Sequence, residues 1–553
     1  MCMCVSAAST FFLLTFSTVS QSLVGALRGG MMTGNEDTLT NGRKPRAVPE
    51  DELITFDKAA KNVPCPGPYF SRSSPEILAC AGIDQFVFEV FEGFFCCTIA
   101  TTTEQQQAKQ RQQDNNNRLS SSSSSSSDWT HKGQDMLGLA DEDRVGLGDG
   151  NGAGIALASN GKILAIGSRY NDNIGSDSGL VQVYRFGDFG WQPFGSGLTG
   201  LHGGEYFGFS VALSHNGTVV AIGAVRHADK AGIYQGQVRC YRMMPKEPND
   251  INSPRDWQQA GDALIGDDKL DHFGHSVSLS ADGTILAVGA TQHMGGTNLG
   301  YVHVHEWTGD GWVILGEPLM SRQGGNRFGN AVSLSDSGKI VAIGARTHSE
   351  NNMPDTGMVQ VMRYSSQQRH WVPMGPVLYG EGPEDQFGGC VSLAGDGYSL
   401  AVGAEHNDGG DKKRKPSSGH VRVFAYQSFS DTWQQIGHDI DGEGDGHGAG
   451  VSVSLAGNRV AVGAIFATHT EGRQNLGQVR VFEYEPRRDL WIQAGETIYG
   501  DNEGDHVGHS VALSVDGHML AYSAPHADTS RGMDSGYVRV VEMGKPIMAC
   551  QSS

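Results

Sequence analysis

Hydrophobic and polar positions repeat along the chain from about residue 128 to residue 545, and one copy of the repeat runs from Phe273 to Leu319. Its first apolar stretch alternates with small polar residues, whereas its second, Ile285–Ala290, is apolar throughout, as expected for a strand buried on both faces. The intervening Asp282-Gly283 is typical of a hairpin turn, whose central residues need positive φ. A third strand follows, and a fourth begins at Trp312 and ends near Leu319. The pattern predicts four short antiparallel strands, which form one blade of a β-propeller.

The repeat occurs seven times, with 55 to 66 residues between successive Phe-Gly positions. This dipeptide is clear in four copies and degenerate in three: Phe207-Gly208, Phe273-Gly274, Phe328-Gly329 and Phe387-Gly388, then Asn151-Gly152, His447-Gly448 and Val507-Gly508. The second strand ends in a glycine followed by a small residue in six copies, at Gly167, Gly223, Gly289, Gly344, Gly403 and Gly463, and has Ser523 in the seventh. We expect these glycines to allow a strained backbone or close packing of blades rather than to bind a ligand.

The tryptophans indicate how the ring closes. Seven of the eight begin a fourth strand: Trp129, Trp191, Trp257, Trp312, Trp371, Trp433 and Trp491. Trp129 precedes every first strand, while the last copy, from Val507, has only three strands. The N-terminal strand is therefore expected to complete the C-terminal blade, which removes an open sheet edge. The prediction is an all-β protein with a seven-bladed β-propeller of four-stranded blades.

The repeated FG pair, followed by a strand, a glycine turn and a strand ending in Gly-Ala, resembles the FG-GAP repeat of the integrin α-subunit β-propeller. The resemblance covers about residues 128–545, and Ala524-Pro525 is its nearest approach to the GAP tripeptide. It implies a propeller fold and a role in adhesion. The calcium loops of that family do not carry over, because the turns between the first two strands are too short to wrap a cation that needs six to eight oxygens.

The chain divides by composition into six segments. Residues 1–27 carry no charge and have a short apolar centre, which predicts a secretory signal peptide, with an uncleaved anchor or a faulty start as alternatives. Residues 28–63 are predicted to be disordered, and residues 101–127, rich in Gln, Asn and Ser, to be a flexible linker. Residues 64–100 form a small apolar segment of unknown structure. Its four cysteines, Cys65, Cys80, Cys96 and Cys97, allow two disulfides in three connectivities. Residues 128–545 are the propeller, and 546–553 a tail.

The net charge of −20 disfavours a nucleic-acid ligand, which requires a basic face. No GxSxG, HExxH or P-loop motif is present, so the sequence names no catalytic residue. Cys240 and Cys390 fall at strand positions where other copies have small residues, which indicates buried thiols.

Long, variable connections between strands 2 and 3, and between strand 4 and the next strand 1, lie on one face of a propeller, where a rigid scaffold presents a binding surface. Most of the 4–1 connections carry an acidic residue two positions before the FG pair, which favours a turn-stabilising side chain. Those positions are Asp149, Glu205, Asp271, Asn326, Asp385, Asp445 and Asp505. A calcium ion is the one candidate cofactor, with Asp439, Asp441, Glu443 and Asp445 at every second position as its ligands. Asn216-Gly-Thr is a glycosylation sequon in a tight turn.

Together these features predict a non-enzymatic interaction protein, secreted or held at the cell surface, that binds a protein or glycan through the loop-rich face. The alternative is an extracellular propeller hydrolase or lyase with its site at the central channel. An intracellular scaffold of the WD-repeat kind fits less well, because the WD dipeptide of that family does not occur in the chain.

Overall fold

The computed structural model describes residues 129–148, 154–228, 234–247, 253–291, 300–321, 326–409, 415–469 and 472–544, and the backbone of three short strands nearer the N-terminus. Contacts divide the chain into two units, Met1–Ser122 and Ser123–Ser553. The predicted signal peptide, disordered segment, linker and tail, and the cysteine pairing, lie outside the residues whose side chains are described. Within the described residues, no helix is long and apolar enough to cross a membrane.

The first unit contains an antiparallel sheet of order β1-β3-β2, built from β1 (Tyr69–Phe70), β2 (Val87–Phe91) and β3 (Phe94–Thr98). Strands β2 and β3 pair in register from Val87 opposite Thr98 to Phe91 opposite Phe94. The apolar segment 64–100 thus contains a hairpin with one added strand.

The second unit is a ring of seven sheets, each with four strand positions. Strands β4 (Trp129–His131) and β5 (Met136–Leu137) precede the first complete blade. Blades 1 to 3 are β6 (Ile155–Leu157), β7 (Ile163–Ser168), β8 (Leu180–Gly187), β9 (Gly190–Pro193) and β10 (Leu198–Thr199); β11 (Phe207–Leu213), β12 (Val219–Ala224), β13 (Gln237–Pro245), β14 (Arg255–Gln259) and β15 (Leu264–Ile265); β16 (Phe273–Leu279), β17 (Ile285–Ala290), β18 (Tyr301–Trp307), β19 (Trp312–Ile314) and β20 (Leu319–Met320). Blades 4 and 5 are β21 (Ala331–Leu334), β22 (Ile340–Ala345), β23 (Met358–Ser365), β24 (His370–Pro373) and β25 (Leu378–Tyr379); β26 (Cys390–Leu393), β27 (Ser399–Ala404), β28 (His420–Gln427), β29 (Thr432–Gln435) and β30 (Ile440–Asp441). Blades 6 and 7 are β31 (Ala449–Ala456), β32 (Arg459–Ala464), β33 (Gln478–Glu485), β34 (Leu490–Gln493) and β35 (Ile498–Tyr499); β36 (Val511–Leu513), β37 (Met519–Ala524) and β38 (Tyr537–Met543), with β4 and β5.

The ring closes as the sequence predicts. Strand β38 pairs antiparallel with β4, placing Val541 opposite His131 and Met543 opposite Trp129. The first strands of successive blades, β6, β11, β16, β21, β26, β31 and β36, contact one another in sequence, and β36 contacts β6. The seven-bladed all-β fold and its N-terminal closing strand are therefore confirmed.

The fourth strand differs from the expectation in one respect, because it is interrupted into two short pieces that both pair with the third strand. In blade 3 the interruption contains Gly316, whose φ is 81°. A Cβ atom on this residue would lie only 2.9 Å from the Trp371 ring. The Trp371 indole donates a hydrogen bond to the Leu315 carbonyl at 2.8 Å. The same bond joins six pairs of neighbouring blades: Trp191 to Lys132, Trp257 to Phe194, Trp312 to Ala260, Trp371 to Leu315, Trp433 to Met374 and Trp491 to Ile436.

The glycines that end the second strands mark close contact between blades. A Cβ atom on Gly289 would lie 2.0 Å from the Gly329 carbonyl oxygen of the next blade, and one on Gly344 would lie 2.1 Å from that of Gly388. These separations are far inside van der Waals contact, so the expected packing role is confirmed.

Apolar residues of adjacent blades form shared clusters. One cluster joins Ile285 and Val304 of blade 3 to Val341 and Met362 of blade 4. Cys240 and Cys390 are free and buried, as predicted. Burial raises the pKa of the Cys390 thiol to about 12, so it stays protonated within the core.

Candidate ligand-binding rim

A backbone bridge fixes where each innermost strand enters the ring. Gly419 forms a parallel bridge with Ala449, as Gly236 does with Phe273 and Gly357 with Phe387. The FG position of blade 6 is therefore Ala449-Gly450, and the sequence assignment of His447-Gly448 is wrong. In blade 1 it is Val145-Gly146 rather than Asn151-Gly152, because the Gly146 amide donates to the Gly167 carbonyl as Gly388 does to Gly403. In both blades a smaller residue replaces Phe, so the sequence alone favours a neighbouring glycine as the FG position.

With this correction, the residues two positions before the FG pair are Asp143, Glu205, Asp271, Asn326, Asp385, His447 and Asp505. Asp385 accepts hydrogen bonds from the backbone amides of Glu381 at 2.9 Å and Gly382 at 2.7 Å. Asp143, Glu205, Asp271 and Asp505 accept bonds from amides three or four residues earlier in the same way. The turn-stabilising interpretation is confirmed, although Asp445 does not occupy this position, and Asp149 lies outside the described residues.

The residue immediately before each FG pair adopts positive φ in all seven blades. It is Gly448 (64°) in blade 6 and a residue other than glycine in the rest: Arg144 (47°), Tyr206 (56°), His272 (55°), Arg327 (54°), Gln386 (56°) and His506 (53°). This left-handed conformation is uncommon for residues that have a Cβ. It occurs where the 4–1 connection enters the innermost strand, beside the start of the 2–3 connection. Both connections lie on the loop-rich face, because strand direction alternates within a blade.

Side chains from these two connections form a continuous series of contacts, which we call the rim arc. It begins in blade 6 at Phe466, whose ring centroid lies 5.3 Å from that of His506, and continues 4.9 Å further to His526. His526 Nδ1 lies 3.6 Å from an Asp534 carboxylate oxygen, and Arg144 donates to the other oxygen of Asp534 at 3.0 Å. The arc thus passes from blade 6 through blade 7 to the start of blade 1.

The second half of the rim arc is more aromatic. The Arg144 guanidinium lies 5.5 Å from the Tyr170 ring centroid, and Tyr170 meets Tyr206 edge to face at 5.3 Å. Arg226 stacks on Tyr206 at 4.4 Å and donates to its hydroxyl at 3.0 Å. Stacked cations and aromatic rings of this kind offer flat apolar faces together with hydrogen-bond donors.

Arg169 lies beneath this half of the arc and is 8% exposed. Its guanidinium stacks between Tyr170, at 5.0 Å, and Phe209 of the next innermost strand, at 4.7 Å. Its Nε and Nη1 have no hydrogen-bond partner among the described residues. Buried guanidinium donors are ordinarily satisfied, so these two nitrogens indicate room for an acceptor from a bound water or ligand.

Charge around the rim arc is mixed. The exposed carboxylates Glu142 and Asp172 lie close enough to Asp177 to help raise its pKa, although burial is the largest cause and Arg226 acts in the opposite direction. Burial, followed by the neighbouring His526, lowers the pKa of His506 to about 4, and burial lowers that of His526 as well. Both imidazoles are therefore neutral near pH 7. The rim arc presents hydrogen-bond donors, acceptors and apolar rings without a large net charge.

The four predicted calcium ligands have different neighbours. Glu443 lies 3.5 Å from Arg480, and Asp441 lies in β30 with its carbonyl accepting a bond from Arg480 at 2.6 Å. Asp445 is exposed on the 4–1 connection. Asp439 instead faces Glu381 and His420, and these three have ligand atoms within 4.8 Å of one another. The calcium site stays a prediction, and its first residue, Asp439, also belongs to the group formed with Glu381 and His420.

The predicted glycosylation residue, Asn216, is exposed in the 1–2 turn of blade 2, on the face opposite the rim arc. Its side-chain oxygen accepts bonds from the Thr218 amide at 3.0 Å and the Thr218 hydroxyl at 2.7 Å. Glycosylation there remains a prediction.

The strand topology defines the class of the protein, a seven-bladed β-propeller. No protein-family model and no curated protein matches the chain, so the FG-GAP resemblance stays a prediction. Solved structures that it resembles include the periplasmic gluconolactonase PpgL of Pseudomonas aeruginosa, at 16% identity and a TM-score of 0.37 over 66% of this chain and 93% of that one. Another is Sqt1 from Chaetomium thermophilum, at 14% identity and a TM-score of 0.40 over 75% of this chain and 100% of that one. At these TM-scores neither structure carries an argument about the site.

Sequence reasoning located the loop-rich face but missed the rim arc. The signal was available at two fixed offsets: the residue before the FG pair and the second residue after the Gly-Ala pair. Read together, they give His506 and His526, Arg144 and Tyr170, and Tyr206 and Arg226 in three successive blades. The incorrect FG assignment in blade 1 hid the Arg144 position.

Proposed function

We propose that this protein is a non-catalytic interaction protein of the cell exterior and that its rim arc binds a glycan. The observation that carries the proposal is the continuous series of contacts among aromatic, cationic and acidic side chains over blades 6, 7, 1 and 2, beside the unpartnered nitrogens of Arg169. Specific ligand sites combine apolar and aromatic surface with a few placed polar groups.

A sugar fits this chemistry in two ways. Its apolar ring faces can lie on Tyr170, Tyr206 or Phe466, which are each at least partly exposed. Its hydroxyl groups both donate and accept hydrogen bonds. The arc supplies donors in Arg144 and Arg226 and an acceptor in Asp534. A carboxylate or sulfate substituent would add an acceptor for Arg169, which favours an acidic sugar among the candidates.

The test is binding of the full-length protein to an array of neutral and acidic oligosaccharides, followed by titration of the best ligand. Tyr206→Ala should weaken binding about tenfold or more, because it removes the ring on which Arg226 stacks. The matched control is Tyr398→Ala, a partly exposed tyrosine in the 1–2 turn on the opposite face, which should leave affinity unchanged.

Two outcomes contradict the proposal. One is that the folded protein binds no oligosaccharide on the array, in which case a protein ligand would explain the same surface better. The other is equal affinity in wild type and Tyr206→Ala, which would place glycan binding elsewhere. Turnover of any oligosaccharide in the same assay would support the alternative of a hydrolase or lyase.

A further inference from the structure

A second group of side chains lies on the loop-rich face at the boundary of blades 4 and 5, away from the rim arc. Glu381 is in the 4–1 connection that leaves blade 4, His420 is the first residue of β28, and Asp439 immediately precedes β30. Strand β28 pairs with β30 so that His420 is opposite Asp441 and Val421 is opposite Ile440. Continuing this register puts Asp439 diagonally beside His420, on the same face of the blade.

The three side chains converge. One ligand atom from each lies within 4.8 Å of the other two, and His420 Nδ1 is 3.9 Å from an Asp439 carboxylate oxygen. This spacing is too long for a hydrogen bond between imidazole and carboxylate, yet short enough for an ion placed between them to reach all three groups.

His420 supplies the independent sign that something binds here. Its side chain is fully buried, and neither Nδ1 nor Nε2 has a hydrogen-bond partner among the described residues. A neutral imidazole keeps a lone pair on one ring nitrogen, with which it can bind an ion. A buried polar side chain without partners is destabilising unless a water or an ion satisfies it.

Charge at the group is strongly negative. Glu381, Asp385 and Asp439 all lie close to the Arg422 guanidinium. Three carboxylates therefore surround a single guanidinium. Arg422 is already held by the Tyr379 carbonyl at 2.6 Å and by stacking on Phe387 at 4.3 Å, with Glu381 3.4 Å away. A carboxylate has two oxygens, so Glu381 can remain near Arg422 and still bind an ion.

We propose that Glu381, His420 and Asp439 bind a divalent first-row transition metal ion, of the Zn²⁺ or Mn²⁺ type, that joins blades 4 and 5. One imidazole and two carboxylates suit these ions, whereas Ca²⁺ and Mg²⁺ take oxygen ligands. Three protein ligands leave coordination positions for water. Because Glu381 belongs to the connection from blade 4 and the other two residues to blade 5, the ion stabilises the boundary between them.

The other blades lack this combination at the equivalent positions. Blade 6 has Glu443, Gln478 and Thr497, and blade 7 has Asp501, Tyr537 and Asp135. In blade 7 both carboxylates bond to Arg539, at 2.8 and 2.9 Å, so both are already paired with a cation. The site is a property of one blade boundary rather than of the repeat.

The test is titration of the full-length protein with MnCl₂, following the loss of the free Mn²⁺ signal by electron paramagnetic resonance. Mn²⁺ is the probe because it prefers carboxylates over thiolates, so the cysteines elsewhere in the chain do not compete. We expect one Mn²⁺ per chain, displaced by Zn²⁺, and a higher melting temperature in the presence of the metal.

His420→Gln is the decisive variant, since glutamine occurs naturally at the equivalent positions Gln237 and Gln478 and the fold accommodates it. It should lower Mn²⁺ affinity at least tenfold and abolish the metal-dependent rise in melting temperature, and Asp439→Asn should do the same. The matched control Glu443→Gln changes the equivalent of Glu381 in blade 6 and should leave Mn²⁺ binding unchanged.

Equal Mn²⁺ affinity in wild type and His420→Gln would overturn the proposal, as would absence of binding to the folded wild-type protein. Binding of CaCl₂ that is lost in Glu443→Gln but kept in His420→Gln would also overturn it, and would support the calcium ligands predicted from the sequence instead.

Discussion

The rim arc and the blade 4–5 boundary are built on the same repeat and on the same face, yet they differ in chemistry and in how they are fixed. Rim residues such as Tyr206 and Arg226 stand in the connections, partly exposed, with side chains held by stacking on each other. At the boundary, His420 and Arg422 stand inside a strand, buried, facing carboxylates from two blades. The shared frame of glycines, valines and tryptophans fixes both positions. The difference teaches that side chains in the connections can change with little effect on folding, whereas those inside the strands affect function and stability together.

Breaking the frame itself should have the largest effect, because it underlies both regions. Gly344→Ala places a Cβ atom 2.1 Å from the Gly388 carbonyl oxygen, so the two blades must separate. We expect a loss of about 3 kcal/mol in the free energy of unfolding. Gly311→Ala is the control, because its Cβ would meet no atom within 4 Å. Denaturant unfolding measures both, and equal stability of the two variants would contradict the packing argument.

An arginine from each region gives the most direct comparison. The Arg422 side chain is 9% exposed, and Arg422→Gln removes its bond to the Tyr379 carbonyl and its stacking on Phe387. This variant should lower the free energy of unfolding by about 2 kcal/mol. Arg226→Gln removes an exposed arginine that donates a hydrogen bond to the Tyr206 hydroxyl, and should lower the unfolding free energy by less than about 0.5 kcal/mol. A reversed order in denaturant unfolding would show that the rim, not the boundary, contributes more to stability.

A buried histidine that belongs to neither region makes the free energy of unfolding depend on pH, which gives a reference for the stability changes in the two regions. His305 occupies a core position, and burial, followed by the neighbouring His303, lowers its pKa to about 3. The unfolded chain takes up this proton below pH 6.5 while the folded chain does not, so stability falls as pH falls through that window.

His305→Phe should lose less unfolding free energy on acidification, because it has no imidazole to protonate in the unfolded chain. The fold accommodates the change, since phenylalanine fills the equivalent position as Phe424 and Phe482. At pH 5.5 the difference between variant and wild type should exceed that at pH 8 by about 1.4 kcal/mol. Denaturant unfolding at the two pH values measures it. Parallel pH profiles would mean that His305 is protonated in the folded protein.

The sequence predicted the frame because each of its features has a local physical cause that recurs seven times. Asp282-Gly283 encodes a hairpin, Ile285–Ala290 a buried strand, and the unpaired Trp129 strand an unfinished ring. The convergence of Glu381, His420 and Asp439 could not be predicted in this way. Glu381 and Asp439 are 58 residues apart, and only the pairing of β28 with β30 and the packing of blade 4 on blade 5 bring them together. The alternating acids from Asp439 to Asp445 are close in sequence but have different neighbours. Asp439 faces a histidine of blade 5, and Glu443 faces an arginine of blade 6.

The smallest expected effect concerns the face opposite both regions and tests the predicted location of the protein. Asn216 is exposed in a tight turn, and a glycan attached there would extend away from the rim arc and from the blade 4–5 boundary. Protein secreted from a eukaryotic host should therefore lose mass on treatment with a peptide-N-glycosidase. Its stability should change by less than about 0.5 kcal/mol, because surface positions away from packed features tolerate change. Thr218→Val removes the sequon while keeping Asn216, and should abolish the mass difference. Glycan and Mn²⁺ binding should be the same before and after enzyme treatment. A secreted protein with no mass difference would contradict the glycosylation prediction, and a change in ligand affinity on deglycosylation would show that the two faces are not independent.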